Sequence, residues 1–174
     1  MAAVTSIRDV TVGPGEFALA GADCRLRTLL GSCVSIVLWH PQLRIGAMSH
    51  FLLMRRKNRI SGAPLDARYG EESLALMLDG LARHHVSGTQ CRAKIFGGGN
   101  MFPDQNSGEG SVHVGRDNGE GARRLLQDRG IEIVSESLFG VGHRQIAFDV
   151  ATGDVWVRQV RPHSDFSPLL GDPA

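Results

Sequence analysis

Apolar positions along this chain recur in two rhythms. Between Tyr69 and His85, Leu74, Met77, Leu78 and Leu81 fall at i, i+3, i+4 and i+7. That spacing predicts a helix with one apolar stripe facing a core. Shorter runs read as strands. Residues 33–39, CVSIVLW, are rich in β-formers. The segment HPQL follows with Pro41 as a turn former, and residues 44–53, RIGAMSHFLL, read as a second strand. Together they predict a β-hairpin with a loop of about four residues. Residues 4–20 read as two short strands joined at Gly13–Gly15. Residues 54–68 are polar, basic and turn-rich, and read as an exposed loop. Ala93–Phe96 is a short buried strand that ends in Gly97, Gly98 and Gly99, and a glycine-rich loop runs from there to about Gly115. A second helix is expected over Asn118–Arg129, stopped by Gly130. Strands are expected over 131–138, 144–150 and 154–160, the last two joined by a turn at Ala151–Gly153.

This order predicts a single α/β domain, a mixed β-sheet with two main helices packed on it. The domain is expected to span residues 1–161. Residues 162–174 carry three prolines and read as a frayed C-terminal tail. Charge adds a restriction. Lys plus Arg number 19 against 18 Asp plus Glu, so binding to nucleic acid through bulk charge is not expected. A local basic cluster remains at Arg55, Arg56, Lys57 and Arg59. The N-terminus lacks a signal-peptide pattern, and no apolar run is long enough to span a bilayer. A cytoplasmic protein without membrane insertion is therefore expected, with its thiols reduced. The three cysteines, Cys24, Cys33 and Cys91, have no CxxC spacing. Zinc and a redox pair are accordingly not expected, and no other cofactor is indicated.

Free thiols are mostly inert core residues. Cys24 and Cys91 have no base near them in sequence and read as packing residues. Cys33 differs. If Trp39 faces Arg44 across the HPQL loop, Cys33 lies opposite His50. Facing residues of an antiparallel pair have Cβ atoms about 4.5–5.5 Å apart. A histidine at that range can take the proton of a thiol, whereas a one-residue slip would send the two to opposite faces. Gly31 and Ser32 precede the cysteine, so backbone can approach a substrate closely there, and its N–H groups are candidates for an oxyanion hole. Composition and spacing alone favour the plainer alternative, a small buried Cys beginning a core strand and an unrelated surface His.

The stretch TLLGSCVSIVLWHPQLRIGAMSHFLL, residues 28–53, resembles the signature of the CheD family, the chemoreceptor glutamine deamidases. RYG at 68–70, AKIFGGGNMF at 93–102 and VGRDN at 114–118 match in order and separation. The resemblance covers about residues 10–160. It implies that Cys33 is the nucleophile, His50 its base and Thr28 the third member of a triad. Ser32 and Gly31, with Gly98 and Gly99 of the glycine run, are the implied oxyanion and substrate-binding positions. The sequence departs from the family pattern at Met54, where a proline commonly follows HFLL. It departs again at GGGNMF and at GHRQI, residues 142–146. The resemblance further implies chemoreceptor cytoplasmic helices as substrate and a CheC-type phosphatase as a partner. A monomer is expected.

Other features ask for less. GGGN at 97–100 lacks the Lys-Ser/Thr of a phosphate loop. His84 and His85 suit a helix C-terminus, and His113 lies in the glycine-rich region. Asp149 and Asp154 flank a turn. Two competing readings stay open. One is an adaptor that docks on receptors or on the phosphatase with little turnover. The other is a cysteine hydrolase acting on a different amide.

Overall fold

A computed structural model describes residues 6–103 and 113–161. The expected C-terminal tail, 162–174, lies outside the described residues, as do residues 104–112 of the glycine-rich loop. Among the described residues, nine strands and two α-helices form three layers. The elements are β1 (Arg8–Thr11), β2 (Phe17–Ala20), β3 (Cys24–Leu30), β4 (Val34–His40), β5 (Ile45–Ser49), α1 (Gly70–Ala82), β6 (Arg92–Gly97), α2 (Val114–Asp128), β7 (Glu132–Leu138), β8 (His143–Asp149) and β9 (Val155–Val160).

The strands divide into a five-stranded sheet of order β2-β5-β4-β6-β7 and a four-stranded sheet of order β1-β3-β8-β9. Each is mixed. β6–β7 and β1–β3 are parallel, and the other pairs are antiparallel. The expected α/β class and the two packed helices are borne out. The second sheet was not legible, because alternation along a strand says which face is buried but not what buries it.

β4 explains the layering. Its sequence VSIVLWH is apolar on both sides, as a central strand covered on two faces must be. Val34, Ile36 and Leu38 face α1 and α2, where Leu74, Met77, Leu81, Ala122 and Leu126 are fully buried. The predicted stripe of α1 therefore packs as expected, with Leu78 at its margin. On the other face Val37 packs with Leu26, Leu30, Met48, Phe96, Ile146 and Phe148 between the two sheets. The Trp39 indole N–H donates to the Val150 carbonyl at 2.9 Å and ties the sheets at one end.

One boundary moved materially. α2 begins at Val114, four residues before the expected Asn118. Gly115 is a poor helix former, but tertiary packing requires it, since a Cβ there would lie 2.6 Å from the Gly98 carbonyl oxygen. Cys24 and Cys91 are buried packing residues. Asp149 serves its turn by accepting the Ala151 N–H at 2.9 Å.

Candidate functional site

β3 and β4 are consecutive in the chain but belong to different sheets. The turn Gly31–Ser32–Cys33 therefore crosses from one sheet to the other. Thr28, on β3, shares its face with Leu26 and Leu30. Cys33 packs into the same inter-sheet cluster, and His50, just beyond β5, continues the face of Met48. Side chains remote in sequence thus meet at one end of the layer between the sheets.

The hairpin differs from expectation by two positions. Trp39 pairs with Gly46 and His40 with Ile45, so the four-residue loop is 41–44. His40 closes it by accepting the Leu43 N–H on Nδ1 at 3.1 Å, and Arg44 takes the left-handed φ of 49° that returns the chain. Val34 and Phe51 form a further bridge, exchanging hydrogen bonds of 3.1 and 3.0 Å. In this register His50 lies opposite Ser35, and Cys33 is its diagonal neighbour. A shift of two preserves the face, so the two residues remain on one side. Diagonal neighbours are separated by about 7–8 Å, within reach of long side chains. Among the described residues the Cys33 thiol makes no hydrogen bond to the imidazole.

His50 is 2% exposed and fixed through both backbone and ring. Its N–H donates to the Glu16 carbonyl at 2.9 Å and its carbonyl accepts the Gly15 N–H at 2.8 Å. The turn at 13–16 therefore anchors it from outside the hairpin. On the ring, Nδ1 lies 2.8 Å from Thr28 Oγ1, and Oγ1 lies 2.6 Å from the Val12 carbonyl oxygen. Thr28 has one proton, and a carbonyl can only accept. The hydroxyl therefore donates to Val12 and accepts the Nδ1–H of His50. The other tautomer would leave two oxygens 2.6 Å apart without a consistent chain of donors. Nδ1 thus carries the ring proton and Nε2 keeps a lone pair. Burial lowers the His50 pKa below its usual 6.5, opposed in part by the Val12 carbonyl and the Glu16 charge. Burial thus favours the neutral ring.

The Cys33 thiol is half-buried, and that burial raises its pKa above the usual value, partly offset by its own backbone N–H. Both shifts run toward the uncharged forms, thiol and imidazole. Around the thiol, three successive carbonyls are held. Gly99 N–H donates to Gly31 O at 2.9 Å and Gly98 N–H donates to Cys33 O at 2.9 Å. Between them, Asn118 Nδ2 donates to Ser32 O at 3.2 Å and also to Leu52 O at 2.7 Å. The N–H groups of Ser32 and Cys33 make no backbone hydrogen bond among the described residues. The glycine run is what lets these backbones meet. A Cβ on Gly97, whose φ is +110°, would lie 2.3 Å from the Cys33 carbonyl oxygen.

A cavity of about 570 Å³ opens beside this turn, with Ser32, Gly98, Gly99, Phe102, His113 and Phe139 in its wall. Three of the expected site positions, Ser32, Gly98 and Gly99, therefore line it, whereas Gly31, Cys33, His50 and Thr28 are not in its wall. The N–H groups of Gly98 and Gly99 are already engaged, so these residues shape the wall and do not donate into it. Arg144, 3% exposed, braces the loop from beneath. It donates to Gly97 O at 3.1 Å, to Ser137 Oγ at 3.2 Å and to the Phe139 carbonyl. Sequence reading missed Arg144 and Asn118. An arginine inside a strand and an asparagine inside a helix look like surface residues until their partners are known. Part of the basic loop is also neutralised, because Arg55 pairs with Glu71 at 2.5 Å and Arg56 with Glu72 at 2.6 Å. No cluster of metal-ligating side chains occurs among the described residues, and no helix there is long and apolar enough to cross a membrane.

Fold and site together describe a three-layered α/β domain that holds a thiol, a neutral histidine and a hydroxyl at the junction of two sheets. Comparison with known proteins gives its kinship. Residues 52–159 match the family model described as CheD chemotactic sensory transduction. The chain is 55% identical over 164 residues to a probable chemoreceptor glutamine deamidase CheD 2 of Albidiferax ferrireducens, covering 94% of each. It is 40% identical over 156 residues to a probable chemoreceptor glutamine deamidase CheD 3 of Dechloromonas aromatica, covering 90% of each. It is 37% identical to a similarly named protein of Pseudomonas syringae pv. tomato, over 86% of this chain and 88% of that one. The chain belongs to the CheD family.

Proposed function

We propose that this protein is a chemoreceptor glutamine deamidase that converts glutamine side chains on chemoreceptor cytoplasmic helices to glutamate. The observation that carries the reading is the Thr28–His50 hydrogen bond. It supports Nδ1 as donor and Nε2 as acceptor in a histidine that shares its strand face with Cys33. The names of the relatives supply the substrate class.

Rotation of the Cys33 side chain brings Sγ to Nε2, a contact of the kind that commonly tightens only with substrate bound. Nε2 takes the thiol proton, and the thiolate attacks the side-chain amide carbon. The carbonyl π pair becomes an oxyanion, held by the N–H groups of Ser32 and Cys33. As the tetrahedral species collapses, the C–N bond breaks and the imidazolium protonates the departing ammonia. A thioester remains. Nε2 then removes a proton from water, the hydroxide attacks the thioester carbon, and the thiolate leaves to regain its proton from the imidazolium. The net reaction consumes one amide and one water, giving one carboxylate and ammonium. Thr28 keeps the ring in the required tautomer throughout.

Under this reading the protein works in the cytoplasm, on the receptor helices, and acts as a monomer. A CheC-type phosphatase is a further partner under the same reading. The test is incubation with a receptor cytoplasmic fragment, with ammonia release and glutamine-to-glutamate conversion read by mass spectrometry. Conversion is expected. Its kcat/KM should fall on the acid side with a midpoint below the ordinary histidine value, because burial lowers His50. Iodoacetamide modification of Cys33 should keep accelerating through alkaline pH, because burial raises the thiol. Absence of conversion would remove the reading, and an alkylation rate already flat near neutral pH would remove the neutral resting pair.

Thr28→Val tests the orienting role. It preserves shape but strands the Nδ1–H and the Val12 carbonyl. We expect kcat to fall roughly 10- to 100-fold, less than for loss of a charged orienting group. Thr28→Ser should recover most of it. Equal activity of the valine variant would dismiss Thr28 from the mechanism.

A further inference from the structure

We propose that Asn118 is a positioning residue that aims the oxyanion-binding N–H of Cys33, an inference that rests on the deamidase reading above. Asn118 is 2% exposed and lies within α2, where asparagine is a poor helix former with little local reason to be. Both protons of its amide are spent on the catalytic segments. One meets the carbonyl of Ser32, the residue before Cys33. The other meets the carbonyl of Leu52, two residues after His50.

The geometry of the peptide group gives the first contact its consequence. A trans peptide is planar, so the carbonyl and the N–H of one unit point in opposite directions. The Ser32 carbonyl and the Cys33 N–H belong to the same unit. Fixing the carbonyl toward α2 fixes the N–H away from it. Gly99 does the same one unit earlier, since its N–H holds the Gly31 carbonyl and thereby orients the Ser32 N–H. Gly98 does it one unit later, where the Val34 N–H is committed to the Phe51 carbonyl. Three consecutive planes are thus locked, and the two N–H groups that no backbone carbonyl claims are those of Ser32 and Cys33. Of the three locks, two are backbone donors from the glycine run, and the middle one is a side chain. Asn118 is therefore where substitution can release a plane without touching the strand ladder. The second contact holds the Leu52 carbonyl to the same amide and keeps the His50 segment in step with the Cys33 turn.

The test compares two reactions of the same thiol in Asn118→Ala. Deamidation passes through an oxyanion and depends on an aimed donor. Alkylation by iodoacetamide displaces iodide from carbon and builds no oxyanion. Losing one such donor typically lowers kcat about 10²–10³-fold, and a misdirected donor should cost a sizeable part of that. We expect kcat on a receptor fragment to fall at least about 30-fold, with KM within about twofold and Cys33 alkylation at alkaline pH within about threefold. An unchanged kcat would overturn the proposal. So would a parallel fall in deamidation and alkylation, which would mean that Asn118 merely holds the Cys33 turn in place. If Asn118→Ala does not fold, Asn118→Ser, which keeps one donated proton, carries the same comparison. If neither folds, Asn118 is a structural clamp and the proposal fails. Failure of the deamidase reading itself is separable, because it appears in the wild-type protein as absent ammonia release while alkylation proceeds.

Discussion

Cys33→Ala is expected to lower deamidation of a receptor fragment by about 10⁴-fold or more while leaving the fold intact. The size follows from the role. Without Sγ there is no thioester route, and neutral His50 alone must activate water against an unactivated amide. The fold should survive because Cys33 sits at the margin of the inter-sheet cluster, and its backbone, not its side chain, carries the bonds to Gly98 and the crossing turn. Cys24→Ala and Cys91→Ala serve as internal comparisons. Both thiols are buried, and burial pushes the Cys91 pKa up to about 11. Activity near wild type is expected for each. Ammonia release that persists in Cys33→Ala would dismiss it as nucleophile.

His50→Gln is expected to cost nearly as much. Glutamine approximates the volume of the ring, and its amide can still donate to Thr28 Oγ1. The fold is therefore expected to persist with a change of about 1 kcal/mol, the scale of one altered hydrogen bond. What it cannot do is accept and return a proton. Because nucleophile and base act as a unit, the Cys33→Ala/His50→Gln double variant should be about as inactive as either single variant. Multiplicative losses would mean the two residues act independently. Stability gives a second reading. The pKa of His50 is lowered in the folded state, so the unfolded chain binds the proton more readily. Its contribution is fully present above the ordinary histidine value and is lost as pH falls through the folded one. Chemical denaturation below that range should therefore weaken wild type more than His50→Gln. Identical pH dependence would mean that the ring is not held neutral.

What the sequence disclosed follows a physical division. Periodicity located α1 because Leu74, Met77 and Leu81 repeat with the helical turn, and it located β4 and β5 because their apolar runs are bounded by Pro41. It placed the hairpin two positions out, because Arg44, the last loop residue, takes a left-handed φ that its identity does not announce. The error left Cys33 and His50 on one face, since a strand repeats every two residues. Thr28 entered only through family resemblance. Its pairing with His50 depends on two sheets meeting, and no local pattern encodes that. Asn118 and Arg144 were illegible for a related reason. Each satisfies main-chain carbonyls from distant segments, so its meaning resides in partners that lie 66 and 86 residues away for Asn118 and up to 47 for Arg144. The glycine run was visible but its purpose was not. Its N–H groups hold the carbonyls of Gly31 and Cys33.

The central claim is that Cys33 carries the glutamine as a thioester. It is tested most directly by acid quenching during turnover of a receptor fragment, followed by digestion and mass spectrometry of the three cysteine-bearing peptides. The account predicts a transient adduct on the Cys33 peptide, equal in mass to the substrate peptide less ammonia, which decays as glutamate appears. Turnover with no adduct at Cys33, or with the adduct on Cys24 or Cys91, would contradict it.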